Sequence, residues 1–268
     1  LIVADDGSAD GTVEMISSLE EPRVRALQLG HSGNIAAVRN AGVKGSFGQW
    51  LTFLDSDDLW VPKKLEIQLD LLRKEQKRWG YGRFELMNEG GQTIPNKAGT
   101  YVAYPGWIVR ELLSSEASVN IGSMMVERRL FEEAGGFDES PGLICREDYE
   151  LALRLSLLAP AAAATDLLVR VREHRGRTTG QCEGHERMAT AYRHFIALGP
   201  GKPLARIAGR KKAFHLAEAY VGNMRNGKRL QAIRQLGGAL WGRDSWRHLI
   251  SSFLRGLSAR RRKYDLQP

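Results

Sequence analysis

The sequence predicts an α/β domain with a mostly parallel sheet flanked by helices, followed by a basic helical extension. Short apolar runs alternate with amphipathic stretches from Leu1 to Asp58, acidic clusters follow two of those runs, and strand signal fades beyond about residue 186. Alternation of this kind marks βαβ units, and in such sheets ligands gather beyond the carboxyl ends of the strands.

The apolar runs are Leu1 to Val3, Val24 to Leu29 and Trp50 to Leu54. Between them, Thr12 to Leu19 follows an Asp10-Gly11 turn and Asn34 to Val43 follows Ser32-Gly33, so both read as helices. Pro62 suits a first helical turn and opens a helix to about Lys77, with Leu65, Leu69 and Leu72 on one face. Short strands are expected near Gly82 to Met87, Thr100 to Tyr104 and Gly122 to Val126, then a helix over Arg128 to Ala134. Gly135-Gly136-Phe137-Asp138 stops that helix. Arg146-Glu147-Asp148-Tyr149-Glu150 opens another through Leu158, with acids in the turn where the helix dipole favours them. Asp166 to Val171 is the last expected strand, and Arg172 to Thr179 a basic loop. The domain reading is an α/β unit over 1–184 and a basic helical region over 185–268, broken at Gly199-Pro200-Gly201-Lys202-Pro203.

Composition narrows the class without naming a function. The hydrophobic fraction of 43% and charged fraction of 26% are those of folded globular chains. Cys145 and Cys182 form neither a CxxC nor a regular framework, which makes a reducing, cytoplasmic setting the default expectation. No apolar run approaches the roughly 20 residues that span a bilayer. The net charge of +8 conceals an asymmetry: residues 201–268 hold 16 Lys and Arg against 3 Asp and Glu, a net +13, leaving about −5 for the remainder. Such a tail suits an anionic surface or is simply a solvated face. Leu249, Phe253, Leu254 and Leu257 recur at helical spacing beside Arg247, Arg255 and the Arg260 to Lys263 cluster, which fits peripheral membrane contact or packing on another surface. Nucleic acid is not an expected partner, since the tail carries no recognised reading motif.

Three clusters carry chemistry. Asp55-Ser56-Asp57 follows the Trp50 to Leu54 run and supplies two hard oxygen donors suited to Mg²⁺ or Mn²⁺, ions that complete their shells with phosphate oxygens and water. Alone, such a pair is weakly specific, because any surface turn can hold one. Asp5-Asp6-Gly7-Ser8 follows the first run, where a carboxylate can accept from a nucleobase or ribose, or where Ser8 or Asp10 simply caps a helix. Glu147-Asp148 pairs two acids, which raises proton affinity and suits a general base; helix-dipole complementarity is the rival explanation. Arg39 lies late in its helix, where it is a phosphate contact or a solvated residue.

Taken in order, these pieces resemble the inverting glycosyltransferases of family 2. The matching text is Ile2 to Thr12, Asn34 to Gly42 and Trp50 to Trp60, then Gly135-Gly136-Phe137-Asp138-Glu139 and Glu147 to Leu155, together covering roughly residues 1–175. The resemblance implies a GT-A fold with a Rossmann-like nucleotide-binding half and sugar transfer from a nucleoside diphosphate donor, UDP favoured, to a saccharide or lipid-linked hydroxyl in bacterial surface polysaccharide or glycoconjugate synthesis. It implies Asp5 and Asp6 at the nucleoside, Arg39 near the nucleotide, Asp57 as metal ligand with Asp55 beside it, and Asp148 as catalytic base with Glu147 at the acceptor end. The loop of Arg172, His174, Arg175 and Arg177 resembles the segment that folds over the donor diphosphate, with His174 and Arg175 as contacts. Family members normally begin with a further strand that packs centrally, and Leu1 to Val3 reads as a later one, so an upstream segment is expected. The uniform Pro160 to Ala164 stretch is a second departure. A non-catalytic or truncated nucleotide-sugar-binding protein is the alternative reading.

Overall fold

A computed structural model describes residues 1–94, 103–174, 184–228, 230–233 and 235. The chain forms two compact units, residues 1–181 and 182–268.

The first unit opens with β1 (Ile2–Asp5), α1 (Thr12–Ser17) and β2 (Arg25–Gln28), the strands pairing in parallel from Ile2↔Arg25 to Asp5↔Gln28. Helix α2 (Ile35–Lys44) follows, capped by Asn34, whose side chain accepts from the Ala36 amide at 3.1 Å. A Cβ on Gly42 would sit 3.6 Å from the Ala4 methyl, so two small residues let α2 lie close on β1.

A second sheet has the order β3-β6-β5-β7-β4, built from β3 (Trp50–Thr52), β4 (Leu59–Trp60), β5 (Trp79–Met87), β6 (Met125–Glu127) and β7 (Ala162–Arg172). Here the strand directions are mixed. Only β5 and β7 run parallel; β3–β6, β5–β6 and β4–β7 are antiparallel. The mostly parallel pattern therefore holds for the leading β1-α1-β2 unit and for β5–β7, while the short β3, β4 and β6 turn back on their neighbours. The alanine run has its reason in this sheet. Gly80 and Gly82 of β5 pair with Ala162 and Ala164, and a Cβ on Gly82 would lie 2.4 Å from Leu168 Cδ1, so small residues face small residues where the strands crowd. Strand β7 consequently begins at Ala162 rather than Asp166. Fully buried Trp79 stacks on Tyr81 and donates its indole N–H to the Ala159 carbonyl at 2.8 Å.

Two local expectations change. Gly122 does not open a strand: Ile121–Ser123 is a 3₁₀ turn, held because the Asn120 side chain accepts from the Gly122 amide at 2.8 Å, and the strand starts at Met125. Helix α3 (Lys64–Glu75) buries Lys64, Gln68 and Leu72, while Leu65 is half exposed. The expected stripe holds at Leu72 and at Leu69, which packs against it, and fails at Leu65, because Lys64 and Gln68 find polar partners inside. Of the expected Thr100 to Tyr104 strand, residues 100–102 lie outside the described residues and 103–104 form no strand.

Among the described residues, the remaining α-helices of the unit are α4 (Val109–Ser114), α5 (Arg128–Glu133) and α6 (Glu147–Leu158). The second unit contains α7 (Gly184–Ala197) and α8 (Lys202–Arg225), separated by Gly199 and Gly201 at φ of 68° and 89°. Their buried residues are mostly small, among them Ala189, Ala191, Ala208, Ala213 and Ala217, around Tyr192 and Phe195. The expected stripe of Leu249 to Leu257 and the Arg260 to Lys263 cluster lie outside the described residues. No helix among the described residues is long and apolar enough to cross a membrane.

Candidate active site

The acidic clusters sit where the strands end. Asp5 closes β1 and is buried, its Oδ2 accepting from the amides of Gly7 (3.1 Å) and Ser8 (2.9 Å). Gly7 permits this hook with φ of 85°, and a Cβ there would meet the His31 amide at 3.0 Å. The hydroxyl and amide of Ser8 hold the Asp5 carboxyl below the usual carboxylate range. Asp6 reaches across to the loop before α2: Oδ1 accepts from the Ser32 amide and hydroxyl, both at 2.8 Å, and Oδ2 from the Gly33 amide at 2.9 Å. Burial pushes Asp6 up, but the Ser32 and Gly33 bonds and the His31 ring outweigh it and hold the group low.

Residues 53–58 join β3 to β4 and carry Asp55, Asp57 and Asp58, with a turn closed by the Asp58 amide on the Asp55 carbonyl at 3.1 Å. Asp55 Oδ1 receives the Arg39 guanidinium at 2.6 Å. The same guanidinium gives its other branch to Glu147 Oε1 at 2.6 Å, so Arg39 joins the strand-end loop to the first turn of α6. Its side chain is only 10% exposed, and it lies 5.6 Å from the centroid of the Phe137 ring. Asn40, next on α2, fixes that ring's backbone: it donates to the Phe137 carbonyl at 2.9 Å and accepts from the Phe137 amide at 3.0 Å. Burial alone would weaken Arg39's hold on its proton, but Asp55 and Glu147 outweigh it and raise the pKa.

Glu147 and Asp148 stand side by side at the start of α6. Glu147 is buried, and its Oε2 has no hydrogen-bond partner among the described residues. Burial, then the neighbouring Asp148, raises the proton affinity of Glu147 against the pull of Arg39. Asp148 is raised by burial, again against Arg39. A buried acidic pair restrained by one arginine can take up a proton near neutral pH, the property a general base needs.

Asp57 belongs to a second junction. Its Oδ2 lies 2.9 Å from His174 Nε2, its carbonyl accepts from Arg172 Nε at 2.9 Å, and buried Asp58 accepts the Arg172 amide at 2.8 Å. Arg172 also donates to the Glu89 carbonyl at 2.7 Å. The end of β7 is thereby tied to the acidic loop. Asp55 Oδ2 and Asp57 Oδ1 have no hydrogen-bond partner among the described residues, and two hard oxygens on one short loop fit a divalent cation.

Of the residues singled out from sequence, Asp55, Glu147 and Asp148 gather around the guanidinium of Arg39, and Asp57 meets His174 at a separate junction. Asp5 and Asp6 make separate, amide-bound turns, and Arg175 lies outside the described residues. Sequence reasoning assigned no role to Phe137, Asn40 or Lys64. The first two stand in the matched segments, where a residue-by-residue question about what Arg39 packs against could have found them.

Residues 1–131 match the family model "Glycosyl transferase family 2". Among curated relatives, the Escherichia coli UDP-Glc:alpha-D-GlcNAc-diphosphoundecaprenol beta-1,3-glucosyltransferase WfgD is 28% identical over 155 residues, 58% of this chain and 57% of that protein. The putative teichuronic acid biosynthesis glycosyltransferase TuaG of Bacillus subtilis is 27% identical over 160 residues, 59% of this chain and 60% of that protein. The chain thus spans about three-fifths of the length of either relative. Among solved structures, S. aureus TarS 1-349 in complex with UDP-GlcNAc superimposes with a TM-score of 0.64 at 17% identity, over 88% of this chain and 70% of that one. The same protein in complex with UDP gives 0.57 at 17% identity, over 84% and 64%. Residues 1–131 therefore carry the sequence pattern of glycosyl transferase family 2, and the backbone has the GT-A fold of its solved neighbours.

Proposed function

We propose that this chain transfers a sugar from a UDP-sugar to an acceptor hydroxyl with inversion at the anomeric carbon, in the assembly of a bacterial surface polysaccharide or glycoconjugate. The observation that carries the reading is the Arg39 bridge, which ties the Asp55 loop to Glu147-Asp148 at 2.6 Å on either side. A donor site and a base site are useful only when held at a constant separation, and a buried guanidinium fork does that. WfgD and TuaG, by their names, act in such syntheses, and TarS binds UDP-GlcNAc and UDP.

Asp57, with Asp55 beside it, would hold Mg²⁺ or Mn²⁺. Such an ion neutralises charge that develops on a diphosphate leaving group. The Asp5-Asp6 turn faces the nucleoside in this reading, and Arg172 and His174, with Arg175 following them, flank the diphosphate. Asp148 accepts the proton of the attacking hydroxyl, and burial together with the adjacent Glu147 keeps its proton affinity high enough for that step. Arg39 limits the rise, so that the carboxylate form stays available. The lipid diphosphate in the name of WfgD's acceptor favours a lipid-linked acceptor here, with the basic C-terminal region resting on an anionic membrane surface.

Asp148→Asn tests the assignment. Transfer measured by UDP release should fall about a thousandfold, while UDP binding with Mn²⁺ stays at the wild-type level. Equal loss of both would remove Asp148 as the base, and wild-type binding without any turnover would leave a nucleotide-sugar binder.

A further inference from the structure

Helix α3 begins with a lysine that has no counter-charge. Lys64 is 1% exposed, and no carboxylate pairs with it among the described residues. Its Nζ donates to Thr52 Oγ1 at 2.7 Å and lies 4.2 Å from the centroid of the Trp60 ring. Burial pushes the ammonium down to about 7. A methionine of similar length would fill the space without removing a charge from water. The lysine therefore costs stability at this position, and what it touches shows what it contributes.

Thr52 is the last residue of β3, and Trp60 the last of β4. Between them run residues 53–58, the loop of Asp55, Asp57 and Asp58. Both contacts are anchored to the same wall: the Thr52 hydroxyl donates to the Met124 carbonyl at 2.8 Å and the Trp60 indole to the Gly122 carbonyl at 2.9 Å. Gln68, one turn along α3, donates to the Ser123 carbonyl between them at 2.8 Å. Since the single Thr52 proton goes to Met124, its oxygen lone pair is left for Lys64, which fixes the side-chain rotamer. The ammonium thus grips the strand that enters the acidic loop and the strand that leaves it.

We infer that Lys64 is a positioning residue that clamps the two limbs of the Asp55–Asp58 loop and thereby sets how tightly that loop holds a divalent cation together with a diphosphate. The inference rests on the reading of this loop as the cation–diphosphate site. Its test compares the full chain with Lys64→Met and Thr52→Val by titration calorimetry of UDP in Mn²⁺, and follows uridine, which lacks the diphosphate, by saturation-transfer NMR. Each variant should weaken UDP binding in Mn²⁺ about tenfold, the scale of a lost supporting contact behind a metal ligand. The double variant should be no weaker than the singles, and uridine binding should not change. Wild-type UDP affinity in Lys64→Met overturns the inference, as does parallel loss of UDP and uridine, which would mean general loosening. If Lys64→Met does not fold, Thr52→Val decides, because it removes the acceptor and leaves the ammonium in place; wild-type affinity there also overturns it. A wild-type chain that fails to bind UDP with Mn²⁺ defeats the functional reading and this inference together, whereas binding that is strong and equal in all variants defeats the inference alone.

Discussion

The loop after β1 and the loop after β3 both present carboxylates at a strand end, yet they hold them differently. Asp5 is satisfied by amides two and three residues ahead, and Asp6 by amides and a hydroxyl of a loop 26 and 27 residues away, with the His31 ring of that same loop 3.2 Å from its Oδ2. Asp55 and Asp57 are held by long side chains, Arg39 at a separation of 16 residues and His174 at 117, and Arg39 reaches on to Glu147 across 108. The first loop is close to self-sufficient. The second is correct only when α2, α3, α6 and β7 are all in place, so its geometry reports on the whole unit and is open to single substitutions far away.

The largest break should come from Arg39→Met, which keeps an apolar stem over Phe137 but leaves Glu147 and Asp148 without their cation. Removing one partner of a buried pair costs about 3–5 kcal/mol. Here the loss should depend on pH. Both acids have folded pKa values above their unfolded ones, so their contribution is complete below the ordinary carboxylate range and is lost as pH rises through the raised values. Without Arg39 those values rise further, so the variant falls behind only as pH passes the wild-type folded values, where the wild-type acids ionise beside their cation and the variant's cannot. Urea unfolding of variant and wild type should nearly coincide near pH 5 and differ by about 3 kcal/mol near pH 8. A gap of equal size at both would assign the loss to packing instead of charge.

Lys64→Met should act in the opposite sense on stability. The lysine's folded pKa of about 7 lies below the unfolded value of 10.5, so the folded state sheds a proton that the unfolded chain keeps. For this group the destabilisation is complete below about 7 and disappears as pH rises toward 10.5. At pH 7 the methionine variant should be more stable by roughly 2 kcal/mol, after allowing for the lost bond to Thr52 and the lost ring contact, and the advantage should shrink steadily by pH 9.5. Thermal unfolding at the two pH values checks it. An advantage that does not change with pH would mean that the ammonium is not its source.

The same contrast explains what could be read from the sequence. The β1-α1-β2 order, α2 with its Asn34 cap, and the acids at strand ends depend on neighbours within a few residues, and apolar periodicity with turn residues exposes them. The convergence of Arg39 on Asp55 and Glu147 depends on three elements meeting, and no local pattern encodes it. Helix α3 shows the difficulty most clearly. Leu65, Leu69 and Leu72 have the spacing of a buried stripe, but Lys64, Gln68 and Leu72 are the residues buried, because Thr52 and the Ser123 carbonyl wait inside for polar partners. Periodicity sorts residues by affinity for oil and cannot see an acceptor supplied from another strand. Gly122 fails as a strand for a related reason, since a single Asn120 side-chain bond turns the backbone there.

The smallest effect should come from Asp6→Asn in the self-sufficient loop. The amide oxygen of Asn can replace Oδ1 as acceptor for Ser32, but its NH₂ then faces the Gly33 amide, donor against donor. One charge-assisted bond is lost and one donor is left for water to satisfy at this partly open surface, a cost of about 1 kcal/mol. Because Asp6 is held below its ordinary pKa, its contribution is present above the unfolded value of 3.8 and is lost as pH falls through the folded one. Wild type should therefore exceed the variant in urea at about pH 6, and the difference should close as pH falls below 3.8. If the variant instead loses as much stability as Arg39→Met, the Asp6 hook is what seats α2, and through α2 the guanidinium, and the two loops are a single device rather than two.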